Sequence, residues 1–183
     1  MRSLRLNVLQ DLIRETRGAE IAEAAAVLPL MFMILLGIFW FGQAFSMYGA
    51  ITRAAQEGAR AGAVPYCATC GGPNTLTQYS NNAATAVQNS LSASHLDPTR
   101  ARPPLVPPVF TPCTGSGACS PGAIANMCIQ MPVQLSNPIT GASGVCGVSV
   151  SFRYPFQFWL PFTSLNNQQV WMTASARMRT EAH

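Results

Sequence analysis

One segment near the N-terminus constrains the fold of this chain more than any other. No charged residue occurs from Ala24 to Thr52, and the stretch from Ala24 to Gly42 is almost entirely apolar. At ~1.5 Å per helical residue, that stretch covers about 28 Å, close to the ~30 Å hydrocarbon core of a bilayer. The sequence therefore predicts a helix that crosses a membrane once, with its transmembrane part at about residues 24–42.

The residues before this segment indicate its orientation. Residues 1–18 are basic overall, with Arg2, Arg5, Arg14 and Arg17 against Asp11 and Glu15. An excess of arginine beside a membrane helix favours the cytoplasmic side. We therefore expect a single-pass protein of the cytoplasmic (inner) membrane, with its N-terminus in the cytoplasm and its C-terminal part in the periplasm or outside the cell.

The cysteines point to an oxidising compartment, because all six follow the apolar segment. We expect three structural disulfides, and the 15 possible pairings of six cysteines stay open. Cys67 and Cys70 have the spacing of a redox or zinc motif, but Pro65 and Gly71-Gly72-Pro73 around them predict a turn rather than a helix N-terminus. The six cysteines that we expect to form these disulfides are Cys67, Cys70, Cys113, Cys119, Cys128 and Cys146.

Beyond the apolar segment, mostly small residues recur at helical spacing and predict one continuous helix over residues 19–62. This helix-packing seam consists of Ala44, Tyr48, Ile51, Ala55, Gly58 and Gly62. Gly58 and Gly62 allow close approach of another backbone, either from the same chain or from another subunit. Pro29 predicts a bend or unwinding near Ala25 to Pro29, and the helix should end between Gly62 and Pro65.

Residues 63–183 predict an extracytoplasmic head with an α+β fold. A Cys, Gly and Pro loop at 63–73 is followed by a second helix at 74–96 and a proline-rich loop at 97–125 without helix or central strand. Period-two patterns within 126–181 then predict three or four antiparallel strands, each half-buried. Pro132 lacks a backbone donor, so the first strand should lie at the edge of the sheet.

Several classes of function are disfavoured by composition. The net charge is +4, and residues after 18 keep only +2, which is too weak a balance to indicate nucleic-acid binding. Asp97 and Glu181 are the acids of the head, so catalysis by paired carboxylates is hard to build. His95 is expected at a helix end and His183 at a free C-terminus. We therefore expect no enzyme activity, no catalytic residues, no cofactor and no metal site.

The N-terminal pattern resembles that of prepilins and pseudopilins, because Gly18 follows a basic leader and Glu23 stands five residues later at the start of the apolar helix. More closely, the chain is similar to the TadE-like family of Tad (tight-adherence, Flp-type) pilus assembly proteins. The similarity is carried by Arg17-Gly18, Glu23, Leu28-Pro29-Leu30, Gly37, Phe41-Gly42, residues 53–60 (RAAQEGAR) and residues 172–181 (MTASARMRTE).

This resemblance implies a pseudopilin, either a minor pilin or an assembly factor, for a type IV pilus of the Tad class that serves adhesion or secretion. It implies a leader, residues 1–18, removed between Gly18 and Ala19 by a prepilin peptidase. It further implies that Glu23 meets the new α-amino group of a neighbouring subunit and so sets the register of assembly. The implied partners are the peptidase, pilus subunits and other pseudopilins, a membrane assembly platform and the lipid bilayer.

Other interpretations of the same residues stay open. Glu23 can be an interfacial carboxylate without a partner or a favourable charge at a helix N-terminus, and Gly18 can be an ordinary cap. The apolar segment can be a signal peptide of a secreted binding module, cut between Ala44 and Phe45. A third alternative is a membrane-anchored envelope protein, unrelated to pili, whose leader stays attached.

Overall fold

A computed structural model describes residues 16–64, 76–113, 119, 126–136, 143–157 and 169–180. The chain divides into two units, Met1–Gln43 and Ala44–His183. The elements are helix α1 (Thr16–Gly62), helix α2 (Leu76–Ala93), a short 3₁₀ helix (Pro98–Arg100) and strands β1 (Cys128–Ser136), β2 (Ser143–Gln157) and β3 (Gln169–Arg179). The predicted α+β fold, with a long N-terminal helix, a second helix and an antiparallel sheet, is confirmed.

Helix α1 is longer at its start than the sequence predicted, since it already includes Thr16, Arg17 and Gly18. It runs through Pro29 without interruption, so the prediction of unwinding near Ala25–Pro29 was wrong, and a bend there stays a prediction. Proline has a helical φ and removes only one backbone donor, which the remaining hydrogen bonds of a long helix tolerate. The helix ends at Gly62, inside the predicted range, and the Ala63 N–H donates to the carbonyls of Ala59 (3.0 Å) and Arg60 (3.2 Å).

Two helical segments and a three-stranded sheet build the unit Ala44–His183. The strand order is β1-β2-β3 with antiparallel neighbours, so β1 lies at an edge as Pro132 predicted. Ile129 of β1 lies opposite Val150 of β2, and the register shifts between Gln130 and Val133, around the proline. The missing donor of Pro132 therefore falls at an irregularity of an edge strand, where it interrupts the ladder least.

The inner face of the sheet packs against both helices. Alternate residues of β2 point to this face and are buried, namely Val148, Val150, Phe152 and Tyr154. They share one core with buried residues of the last part of α1, such as Ile51, and with Val87 and Leu91 of α2. Each large side chain buried in this way contributes about 1.5–3 kcal/mol. This core explains why residues 44–62 belong with the head rather than with the segment before them.

The outer face of β2 is buried as well, which corrects the prediction of a half-buried strand. Ser149 and Ser151 are each only 1% exposed. The cover comes from the loop residues 101–113: the Gln130 side chain on this face donates to the Pro108 carbonyl (2.9 Å). A second contact places the Arg177 guanidinium over the ring of Phe110. Small polar residues thus face a protein layer, and not solvent as their pattern suggested.

The loop that forms this layer is held to the sheet by backbone pairing and by disulfides. Arg102 and Arg153 exchange two backbone hydrogen bonds (2.9 and 2.8 Å), and the Gln134 N–H donates to the Thr111 carbonyl (2.8 Å). Disulfides join Cys113 to Cys146 and Cys119 to Cys128. In its described residues, the loop that was predicted to be irregular contains a 3₁₀ turn and these two isolated bridges. The remaining predicted disulfide residues, Cys67 and Cys70, lie outside the described residues.

Candidate functional site

Gly18, the predicted processing position, lies in the first turn of α1 and is exposed. Apart from its chain neighbours and the backbone of its own helix, no atom of the described residues lies within 4 Å of the position that a Cβ would occupy there. The first N–H groups of a helix have no acceptor within the helix, and glycine gains least from helical order. The peptide bond that follows Gly18 is therefore in a turn that unwinds at low cost, with open space at the glycine.

Glu23 is exposed on the same helix, one turn beyond Ala19. Residues four apart on a helix are neighbours on its surface. A positive group at the Ala19 backbone nitrogen and the Glu23 carboxylate would therefore lie on one side of α1. The side chain of Ala19 itself is outside the described part of the structure.

The apolar surface that follows Glu23 is not covered by the described residues of its own unit. All residues from 21 to 36 are exposed, including Phe32 at 60% and Met33 at 73%. The segment Ile21–Gly62 reaches a mean hydropathy of 2.4, and its most apolar part is not buried at all. By length and composition this helix is able to span a membrane. An exposed apolar surface of this extent is typical of contact with lipid or with other apolar helices.

The predicted packing seam is divided by the structure. Ala44 is half-buried and Tyr48 is 50% exposed, whereas the other four members are buried, namely Ile51, Ala55, Gly58 and Gly62. A Cβ at Gly58 would overlap Val87 of α2 and lie 3.1 Å from the Ala83 carbonyl oxygen. At Gly62, a Cβ would come within 3.1–3.2 Å of the side chains of Val148, Ala83 and Met131. The close approach that these glycines permit is therefore used inside the chain.

The opposite face of α1 meets the end of β3 at a surface that sequence reasoning missed. An open groove of about 700 Å³ is lined by Gln56, Glu57, Arg60, Ala63 and Val64 of α1 and its end, and by Arg177, Met178 and Arg179 of β3. Most of these residues fall in the two segments that carried the resemblance outside the apolar run, residues 53–60 and 172–181. The resemblance of both segments to one family was the signal that could have pointed to this surface, but it did not show that the two segments lie side by side.

Two titratable groups of the head have shifted pKa values. The Thr99 hydroxyl and backbone N–H both donate to the Asp97 carboxylate, at 2.7 and 2.9 Å, and lower the pKa of this exposed carboxyl. Burial raises the pKa of the Tyr154 hydroxyl, although the nearby Arg100 opposes the shift. Asp97 caps the 3₁₀ helix and Tyr154 belongs to the core, so both shifts have a structural origin. Within the described ranges no three His, Cys, Asp or Glu residues form a metal-binding group.

Part of the chain is similar to a known protein family. Residues 18–60 match the family model described as TadE-like protein. The match covers α1 from Gly18 to Arg60 and so includes Gly18, Glu23 and the exposed apolar surface. The family that the sequence resembled is confirmed over these residues, and the match supports a function related to Tad pili. No curated protein and no solved structure matches the chain.

Proposed function

Because residues 18–60 are TadE-like, we propose that this protein is a pseudopilin, a minor pilin or an assembly factor, required for biogenesis of a Tad/Flp-type pilus. One observation carries the proposal: an exposed, charge-free apolar helical surface starts directly after Gly18 and Glu23. The protein acts by packing against other subunits and against lipid, not by catalysis. Its head is the part that lies outside the cytoplasmic membrane.

The apolar part of α1 is the membrane anchor in this proposal. Side chains such as Phe32, Met33 and Phe41 are all more than half exposed. Removing a large apolar side chain from water contributes about 1.5–3 kcal/mol, so a row of them drives the helix into the bilayer. The arginines of residues 1–18 keep the N-terminus in the cytoplasm.

Processing removes residues 1–18. A membrane-bound prepilin peptidase cleaves the bond between Gly18 and Ala19, where Gly18 is exposed and the first helical turn opens at low cost. Hydrolysis converts the Ala19 amide nitrogen into an α-amino group. With a reference pKa of about 7.7–8.0, this group is largely protonated at neutral pH. Cleavage thus deletes the basic leader and creates one new positive charge at the start of the helix.

Glu23 then sets the register of assembly. A charge at the centre of a bilayer costs roughly 2.5–3.5 kcal/mol and less near the surface, so an unpaired Glu23 opposes deep insertion. Pairing with an α-amino group offsets that penalty. The helical segment after Glu23 is apolar, so a neighbouring helix offers few groups that can pair with this carboxylate. Only a few shifts of one helix along the other therefore bring a positive group next to Glu23. Pairing with the amine of the same chain, one turn away, competes with pairing between subunits.

The partners follow from these steps. The peptidase meets residues around Gly18, and the bilayer and other pilins or pseudopilins meet the apolar surface of α1. Pilus subunits and the membrane assembly platform meet the head. The two disulfides of the described residues suit a head that folds in an oxidising compartment.

The test is the N-terminus of the mature protein, determined by intact mass and peptide mapping from cells that contain their own prepilin peptidase. We expect a chain that starts at Ala19. Gly18→Val should leave the leader attached, whereas Gly49→Ala, a change at another open glycine of α1, should not affect cleavage. A start at Phe45 would instead indicate a secreted protein, and an intact Met1 would leave only an anchor.

A second measurement separates the two forms of the proposal. The protein is quantified in sheared pili and in membranes of the same cells. A minor pilin is found in the sheared fraction, whereas an assembly factor stays in the membrane. Glu23→Ala should reduce piliation in either case, and Glu23→Asp should retain part of it, because the carboxylate is the group that acts.

A further inference from the structure

The residues of β3 that line the groove between α1 and β3 indicate which side of the strand the groove follows. Arg177, Met178 and Arg179 are consecutive, and all three line it. Successive side chains of a strand point to opposite faces of the sheet. One groove touches three consecutive residues where it runs along an edge of the strand. The edge shared with β2 is occupied at these residues, so the groove follows the other edge of β3.

That edge of β3 is open within the described part of the chain. β3 pairs with β2 along its whole length, from Arg179 opposite Gly147 to Gln169 opposite Gln157, and the sheet ends there. Every second residue of such a strand directs its N–H and C=O groups away from the sheet. An unpaired edge of 11 residues without proline or an irregularity in its register is a template for one more strand.

The charges around the open edge select the kind of strand that fits. Arg60, Arg177 and Arg179 line the groove against one acid, Glu57, and among the described residues no carboxylate forms an ion pair with these arginines. The Arg177 guanidinium is held in place, because it lies 4.7 Å from the centroid of the Phe110 ring. Ala63, Val64 and Met178 add apolar surface. Carboxylates with apolar neighbours complement such a groove.

A second copy of the unit Ala44–His183 does not match these charges. Residues 44–183 carry a net charge of +4, from Arg53, Arg60, Arg100, Arg102, Arg153, Arg177 and Arg179 against Glu57, Asp97 and Glu181. Two such units repel each other, whereas a negative partner is attracted over a distance of about a Debye length. Charge complementarity therefore favours an acidic partner over self-association at this edge.

We propose that the open edge of β3 binds an extended acidic segment of a partner protein as a fourth strand, with its carboxylates held by Arg60 and Arg179. The backbone of the segment bonds to the edge, and alternate side chains enter the groove. This inference goes beyond the proposed function, which names no binding surface on the head. It also does not depend on cleavage after Gly18, so either proposal can fail without the other.

The test uses the full chain in neutral detergent micelles and a fluorescently labelled peptide of alternating Glu and Val. Anisotropy at low salt measures binding of the peptide to the protein. We expect Arg60→Gln combined with Arg179→Gln to weaken binding about tenfold or more, as expected for the loss of charge-assisted hydrogen bonds. Arg53→Gln is the control, since it removes an exposed charge from α1 outside the groove.

Two further peptides test the strand geometry. A peptide of alternating Lys and Val should not bind, because it repels the groove. A peptide of alternating Glu and Pro keeps the carboxylates, but its prolines lack an N–H and hold φ at about −65°, so it cannot form a regular ladder, and we expect it to bind about tenfold more weakly. The proposal is overturned if the Glu and Val peptide fails to bind, if Arg53→Gln weakens it as much as the groove variant, or if the Glu and Pro peptide binds equally well.

Discussion

His95 shows how one residue ends an element in an unusual way. Its φ is 58°, in the left-handed region that glycine normally occupies after a helix. The Leu96 N–H donates to the Leu91 carbonyl (2.9 Å), and the His95 N–H donates to the Ser92 carbonyl (3.0 Å). These are the two hydrogen bonds of a Schellman motif, and Leu96 packs against the core beside Leu91. The motif fixes the end of α2 despite the conformational cost of its histidine.

We predict that His95→Gly stabilises the head by about 1 kcal/mol, because glycine adopts this φ without the penalty that a Cβ brings. The thermal midpoint of the full chain in micelles should rise. Ser92→Gly is the control, an exposed position within α2 where glycine lowers helix propensity. A decrease in midpoint for both variants would contradict the proposed role of the backbone at His95.

Asp97 offers a pH-dependent test at a neighbouring residue. Because the Thr99 hydroxyl and N–H bind its carboxylate, its folded pKa lies below the ordinary value of 3.8. The stabilisation it gives is present above the unfolded pKa and is lost as the pH falls through the lower, folded pKa. Thr99→Val should move the pKa of Asp97 back toward 3.8, as followed by NMR of the carboxyl carbon. Thr173→Val, which removes an exposed hydroxyl of β3, should leave the pKa of Asp97 unchanged.

At the scale of elements, the packing of α1 on α2 and the sheet depends on glycine. We predict that Gly58→Ala destabilises the head by about 1–3 kcal/mol, because the new methyl group overlaps Val87 and approaches the Ala83 carbonyl oxygen. Gly49→Ala is the matched control on the same helix, where no described atom outside the helix's own backbone lies within 4 Å of the new methyl group. Chemical unfolding of both variants gives the comparison.

Gly49→Ala should stabilise the chain slightly, by up to about 1 kcal/mol, since alanine is the better helix former. If Gly58→Ala were equally well tolerated, α1 would not pack as closely on α2 as the structure shows. The sign of the difference is therefore the informative quantity, and the control excludes a general effect of replacing glycine in α1.

Sequence patterns predicted those features of the helices and strands that depend on residues close in sequence. The end of α1 at Gly62, the second helix and the edge position of β1 all follow from residues close in sequence, such as Pro132. The double burial of β2 does not. Gly147, Ser149 and Ser151 have the size and polarity of a solvent-facing row, and their burial depends on loop residues about 40 positions away. The course of that loop is not readable from the pattern of β2 itself.

At the scale of the whole molecule, the two disulfides hold the outer layer to the sheet. Cys113 and Cys146 are 33 residues apart, whereas Cys119 and Cys128 are 9 apart. In the chain-entropy account, closing the longer loop contributes about 4 kcal/mol and closing the shorter loop about 3 kcal/mol. We predict that replacing the first pair by serines destabilises the head more than replacing the second pair. Urea unfolding followed by near-ultraviolet circular dichroism measures both; the reverse order would contradict this account.

The pairing of these cysteines and the position of the groove are properties of the assembled chain. The sequence predicted that Cys113 and Cys146 lie in the part of the chain that is exposed to an oxidising compartment, but it did not predict that they pair. The sheet register places Cys146 opposite Gln134 and so brings it near the segment that contains Cys113. The groove likewise exists only because α1 packs beside the open edge of β3. Gly18 and Glu23 are different, since sequence spacing alone singled them out.

The last turns of α1 carry two sets of residues that do not overlap. Ile51, Ala55, Gly58 and Gly62 are enclosed in the head, whereas Arg53, Gln56, Glu57 and Arg60 face outward. Because each set has its own neighbours, substitutions in the outward set can alter what the head recognises without disturbing how it folds. Binding specificity and structural integrity are thus separately adjustable along a few helical turns, which makes this segment a natural place to redirect the protein to another partner.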